Sequence, residues 1–243
     1  MEFNNSFFEN NGIKLNYIES RNYDEYLTPL IYIPGTSGIG SDAIPLFQNL
    51  TKNRRCIGVS LRGRGRSDTP SQGYSLHDNA SDIDALVKEL SLNNYCLLGT
   101  SIGVMYSVIH LTSEFSKARG FIVTDHPPRC TKLPEGWHKW YKDQIVNGRH
   151  ILDNMREIAV EKTESDAYDL DLMKEYKSLG LPTLALAAHK KGTYPILTSE
   201  EIEYFDNLPK SEVVHFYDSD HLIRYREPEK FYRVVDEFLC KLD

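Results

Sequence analysis

No run in this chain of 243 residues reaches the roughly 18 consecutive apolar residues that a membrane-spanning helix needs. Met1 to Asn11 carry no Lys or Arg and no long apolar stretch, so neither a secretory nor a transit signal is expected there. Cysteine is scarce. Cys56, Cys96, Cys130 and Cys240 are far apart and form no C-x-x-C pair, which speaks against a disulfide framework or a thiol redox motif. Free thiols and a cytoplasmic location are the expectation. Positive charge is also short: 28 Lys and Arg face 35 Asp and Glu, a net charge of −7. That sign argues against nucleic acid or an anionic membrane as the main partner. Low-complexity segments and internal repeats are missing too.

What is present suits one large globular domain, with 40% hydrophobic and 26% charged residues and enough length for a sizeable core. Ser6 to Glu9 and Ile13 to Glu19 flank Asn10-Asn11-Gly12, a hairpin signal. Leu30-Ile31-Tyr32-Ile33, ending at Pro34-Gly35, and Cys56-Ile57-Gly58-Val59 read as buried strands. Ala43 to Leu50 reads as a helix, and His77 to Leu90 places Ile83, Leu86, Val87 and Leu90 on one helical stripe. Further strands are expected at Tyr95 to Leu98, Gly120 to Thr124, Pro182 to Ala187 and Val213 to Tyr217. Helices are expected at Val104 to Leu111 and Phe231 to Leu242. Strands alternating with helices imply a mostly parallel sheet covered on both faces.

Gly99-Thr100-Ser101-Ile102-Gly103 stands between a strand and a helix and forms the pattern G-x-S-x-G. In that context the serine sits on a strained turn that lifts its oxygen out of the sheet. The glycines keep side chains out of the neighbouring strand and helix. The N–H groups at the start of the following helix face developing negative charge. Ser101 is thereby a candidate covalent nucleophile.

Residues 126–181 break the alternation. They hold two or three helix-like stretches and no clear strand, with Trp137, Trp140, Tyr141, Ile145, Ile151, Met155, Ile158, Leu170 and Met173 as apolar residues. The segment is too long for an ordinary loop and reads as a helical cap. Residues 1–125 and 182–243 remain as the core domain.

At this point the chain resembles the α/β-hydrolase family over nearly its whole length. Pro34-Gly35-Thr36-Ser37-Gly38 occupies the place of the family's His-Gly loop after the third strand. Leu61 to Asp68 is similar to the Arg-Gly-x-Gly-x-Ser segment after the fourth strand. Gly99 to Gly103 resembles the nucleophile elbow, and Asp220-His221 falls where the family's histidine falls. Arg226-Glu227-Pro228-Glu229 and the C-terminal helix also fit. The resemblance implies an α/β-hydrolase fold, a mostly parallel sheet of about eight strands covered by helices, with a helical cap inserted after strand six.

Ser101 needs a base to take its proton, and histidine suits this near neutral pH. His221 is the best placed of eight histidines, because a loop after the last strand reaches across the strand ends. His215 reads as structural, and His77 and His110 as helix packing or surface residues. The commonest family pattern puts the orienting aspartate after the seventh strand. Here His189-Lys190-Lys191-Gly192 stand there, with no acid. The alternative is an acid after the sixth strand, and Asp125 ends that strand, keeping the order Ser, Asp, His. Asp218 and Asp220 read as turn residues, and Glu200 or Glu201 as outsiders. The resemblance assigns the oxyanion donors to the backbone N–H groups of Thr36 and Ile102. Each such donor typically contributes ~10²–10³ in rate. Pro34, in place of the usual histidine, has no N–H to give.

Other groups read more plainly. In the stretch with Arg64 and Arg66, the resemblance implies that Arg62 and Asp68 lock a loop rather than form a phosphate or nucleic-acid site. His126, Cys130 and His138 match no common zinc spacing; no metal or other cofactor is expected. Trp137, Trp140 and Tyr141 build the cap, with a role for them in an apolar substrate pocket left open. The expectation is a cytoplasmic serine hydrolase cleaving a small ester, thioester or related acyl bond, with a small acyl compound as partner and a homodimer left open. C–C bond or lactone hydrolysis, a ligand-sensing or signalling module, and a non-catalytic relative stand as alternatives. Serine at the elbow disfavours dehalogenase and epoxide hydrolase chemistry, for which the family uses aspartate.

Overall fold

A computed structural model describes residues 1–194 and 196–243. Phe3–Asn10 (β1) and Ile13–Ser20 (β2) form the expected antiparallel hairpin. Its turn residues Asn11 and Gly12 take φ of 50° and 80°, values that Asn-Gly adopts readily. Leu30–Ile33 (β3), Cys56–Ser60 (β4), Tyr95–Thr100 (β5), Ala118–Thr124 (β6), Thr183–Ala188 (β7) and Ser211–Phe216 (β8) complete an eight-stranded sheet. Its order is β1-β2-β4-β3-β5-β6-β7-β8. β2 runs antiparallel to β1 and β4, and the other pairs are parallel.

The helices are Ile44–Gln48 (α1), Leu76–Glu89 (α2), Gly103–Leu111 (α3), Trp137–Tyr141 (α4), Ile151–Asn154 (α5), Glu157–Ser165 (α6), Met173–Ser178 (α7), Ser199–Asp206 (α8), Ile223–Arg226 (α9) and Pro228–Leu242 (α10). The helix expected from Ala43 is a 3₁₀ turn, Gly40–Ala43, leading into the short α1. Strand alternation divides the core between the two faces of the sheet. Ile31, Ile33 and Leu97 pack with residues of α2, α3 and α8. Leu30, Tyr32, Cys96 and Leu98 pack with residues of α1 and α10.

The cap inserted between β6 and β7 carries α4 to α7. It also holds two ladders that its sequence does not announce: Arg129–Cys130 pairs with Leu170–Asp171, and Ile145–Val146 with Arg149–His150. Tyr141, Ile151, Met155, Ala159 and Val160 pack on Tyr74 of the core. Backbone bonds stitch the cap to the loop after β4, from Gly65 N to Asn154 O (2.7 Å) and from Arg156 N to Gly63 O (2.9 Å). Chain order reverses between the adjacent strands β3 and β5, and such a switch point leaves a crevice at the carboxyl ends of a parallel sheet. Among the described residues no helix is long and apolar enough to cross a membrane.

Candidate active site

The crevice is a cavity of about 1160 Å³ between sheet and cap. β5 delivers Ser101 to its floor with φ at 54°, in the left-handed region. The Ser101 N–H donates to Thr124 O of β6 (3.1 Å), and Val104 N donates to Ser101 O (2.8 Å), which closes the turn. The glycines are needed for close approach. A Cβ on Gly99 would stand 2.9 Å from Val104 Cα, and one on Gly103 2.5 Å from Pro34 O.

β6 ends at Thr124, and Asp125 directly after it is also left-handed at φ 51° and only 1% exposed. Its Oδ1 accepts from Ala188 N (3.1 Å) and Leu197 N (3.2 Å), and its Oδ2 meets His221 Nδ1 at 2.9 Å. The carboxylate is therefore fixed by two backbone donors before it meets the imidazole. The other acids are engaged elsewhere. Asp218 pairs with Lys190, and Glu201 with Arg129 at 3.0 Å. Asp220 takes hydrogen bonds from Arg226 and Leu222 N, and the Arg226 bond is the main reason its carboxyl lies below the usual range.

His221 is buried, with the Tyr194 ring 5.9 Å away. Ser101 and His221 line the same cavity, although no hydrogen bond joins Ser101 Oγ to His221 Nε2 among the described residues. Such contacts often tighten only with substrate in place. Thr36 and Ile102 also line the cavity. Among the described residues neither of their backbone N–H groups has an acceptor. Thr36 is held by its carbonyl, which accepts from Arg64 Nε at 2.9 Å.

Of the cap aromatics, Trp137 and Tyr141 line the cavity, stacked with ring centres 4.3 Å apart. The Tyr141 hydroxyl donates to Ser37 Oγ at 3.0 Å, and burial raises its pKa. Trp140 does not line the cavity; it is 44% exposed. The basic stretch is scaffolding, but not with the pairing expected. Arg62 binds Asp82 of α2 at 2.6 Å, while Asp68 accepts from Lys14 N. Asp82 is fully buried and among the described residues pairs with no other cation, whereas Asp68 is exposed.

The three candidates for a zinc site have other contacts. His126 bonds Pro127 O, His138 bonds Glu164, and the Cys130 thiol faces Tyr168 O. Among the described residues no three His, Cys, Asp or Glu side chains gather as a cation site. Sequence reasoning passed over Tyr194, Arg224 and a lining role for His126. Only His126, next to Asp125, carried a positional signal.

Comparison with known proteins agrees with this architecture. A family model described as the alpha/beta hydrolase fold matches residues 28–111. The AB hydrolase superfamily protein YisY of Bacillus subtilis (strain 168) is 27% identical over 220 residues, covering 76% of this chain and 81% of the relative. N-formylmaleamate deformylase of Pseudomonas putida (strain KT2440) is 22% identical over 262 aligned positions, 94% of each chain. The solved esterase EaEST from Exiguobacterium antarcticum superposes with a TM-score of 0.80 at 20% identity, over 96% of this chain and 98% of its own. The chain has the α/β-hydrolase fold, and its residues 28–111 match the model of that family.

Proposed function

We propose that the protein is a serine hydrolase that cleaves a small ester, thioester or related acyl bond through an acyl-enzyme. Residues 1–125 and 182–243 act as the catalytic core, and 126–181 as the cap over the substrate. The observation that carries this reading is the 2.9 Å contact of His221 Nδ1 with the anchored Asp125 carboxylate, on the cavity into which Ser101 opens. Asp125 holds the imidazole in the tautomer whose Nε2 accepts a proton. Ser101 Oγ attacks the acyl carbon while His221 Nε2 takes its proton. The oxyanion that forms is received by the free N–H groups of Ile102 and Thr36. Collapse expels the alcohol or thiol, which takes the proton from His221. Water then attacks the acyl-serine with His221 again as base, releasing the acid and restoring Ser101.

The likeness to a deformylase supports including formyl and amide substrates in the trial, and the likeness to an esterase supports beginning with esters. The test is hydrolysis of p-nitrophenyl esters over a range of acyl lengths, with Ser101→Ala beside the wild type. Turnover should fall on the order of 10⁴-fold or more in the variant, with the fold kept. Equal rates in the two proteins would refute the mechanism. No turnover of any acyl substrate, together with no labelling of Ser101 by a fluorophosphonate, would favour ligand sensing instead.

A further inference from the structure

Among the described residues, three guanidinium groups line the cavity: Arg129, Arg149 and Arg224. Two are neutralised. Arg129 Nη2 lies 3.0 Å from Glu201 Oε1, and Arg149 Nη1 lies 2.7 Å from Asp42 Oδ1. Arg224 differs. It is 9% exposed and has no carboxylate within ion-pair distance among the described residues. Its Nη2 donates to the Tyr225 hydroxyl at 2.6 Å, while its Nη1 is buried without an acceptor. Two aromatic faces lie beside it, with Cζ 5.2 Å from the Tyr32 ring centre and 4.7 Å from that of Tyr225, and the Asp42 carboxylate acts on it only from beyond ion-pair distance. The other oxygen of Asp42 is already used, accepting from Ile39 N at 2.9 Å.

A buried cation without a counter-ion is costly, and ring faces offset only part of the lost hydration. Arg224 also stands close to the reacting centre. It follows His221 by three residues and lies over Tyr32 of β3, the strand that runs through Pro34 and Gly35 into Thr36. A Cβ on Gly35 would stand 3.1 Å from Ser101 Cβ, so that loop is packed against the nucleophile.

We infer that Arg224 is a specificity residue that receives a carboxylate carried by the substrate. The preferred substrate is then an acyl compound with an anionic group on the β3 side of the bond cleaved. This rests on the hydrolase reading and narrows it. The planar guanidinium, with Nη1 unengaged, suits a carboxylate, and a charge-assisted bond of this kind typically changes affinity by ~10–100-fold.

The test compares kcat/KM for 4-nitrophenyl hydrogen adipate with that for 4-nitrophenyl hexanoate, which match in length and differ in terminal charge. The wild type should favour the charged ester, and that preference should drop ~10–100-fold in Arg224→Gln and be partly kept in Arg224→Lys. A wild-type preference for the neutral ester, or a variant that loses both activities in equal proportion, overturns the proposal. If the wild type cleaves neither ester, the hydrolase reading fails there and the anion site is read separately. Adipamate is then titrated calorimetrically into Ser101→Ala, with hexanamide as the neutral control. Tighter binding of the anion that disappears on adding Arg224→Gln keeps the site, and equal binding of the two amides removes it.

Discussion

His126 shows how much one side chain depends on what folds over it. It follows Asp125 and lines the cavity, and burial there pushes its imidazole from 6.5 down to about 4. Its bond to Pro127 O opposes that shift, and the nearby His221 adds to it. The unfolded chain takes up this proton near pH 6.5, whereas the folded protein holds it off until about pH 4. Folding is therefore unpenalised above about 6.5 and loses stability as the pH falls, with the full loss reached below about 4. The loss is at most about 3 kcal/mol. In His126→Gln the drop in Tm between pH 7 and pH 4 should shrink relative to wild type. Parallel curves for the two proteins would mean that His126 titrates normally. The sequence could not show this, because groups that act on His126 in the fold, Glu201 and His221, lie far from it in the chain. The places of Ser101, Asp125 and His221 after strand ends were legible because the strand patterns before them are local. Arg62 was legible as a loop lock but not by its partner, since Asp82 reaches it from a helix 20 residues away.

Elements read well where they are long and apolar, and poorly where pairing alone creates them. β3 and β5 are continuous buried runs, and their ends matched the sequence to within two residues. The two-residue ladders of the cap have no period to detect, and form only because tertiary packing brings their strands together. α8 was missed although its signal was present: Thr198 and Glu201 form a reciprocal capping box. The elbow has little tolerance for a side chain. A Cβ at Gly103 would meet the carbonyls of Pro34 at 2.5 Å and Ile33 at 2.6 Å, both of them backbone at the end of β3. Gly103→Ala should lower stability by roughly 1–3 kcal/mol, since neither strand nor helix can yield cheaply. It should also lower kcat, because the displaced loop carries the Thr36 N–H. Unchanged denaturant midpoint and kcat would show that the elbow relaxes elsewhere.

Across the whole molecule the cap is fastened to the core on several sides. Arg129 meets Glu201 of α8, and Arg149 meets Asp42 beside α1. Tyr141 bonds Ser37 in the loop after β3, and Tyr74 N bonds Asp166. The backbone of Gly63 and Gly65 is tied to Arg156 and Asn154. Among the described residues the cap's small apolar cluster takes in Tyr74 and Tyr194 of the core, so it has little core of its own to fold around. Cap and sheet should therefore unfold as one cooperative unit. The chain supplies its own probe, because both of its tryptophans, Trp137 and Trp140, lie in the cap. Tryptophan fluorescence thus follows the cap, while far-ultraviolet circular dichroism follows helices and strands throughout. The two thermal transitions should coincide to within about 2 °C, as all-or-none unfolding requires. A fluorescence transition well below the dichroism transition would mean instead that the cap opens by itself, and that substrate enters by local unfolding rather than through a standing mouth.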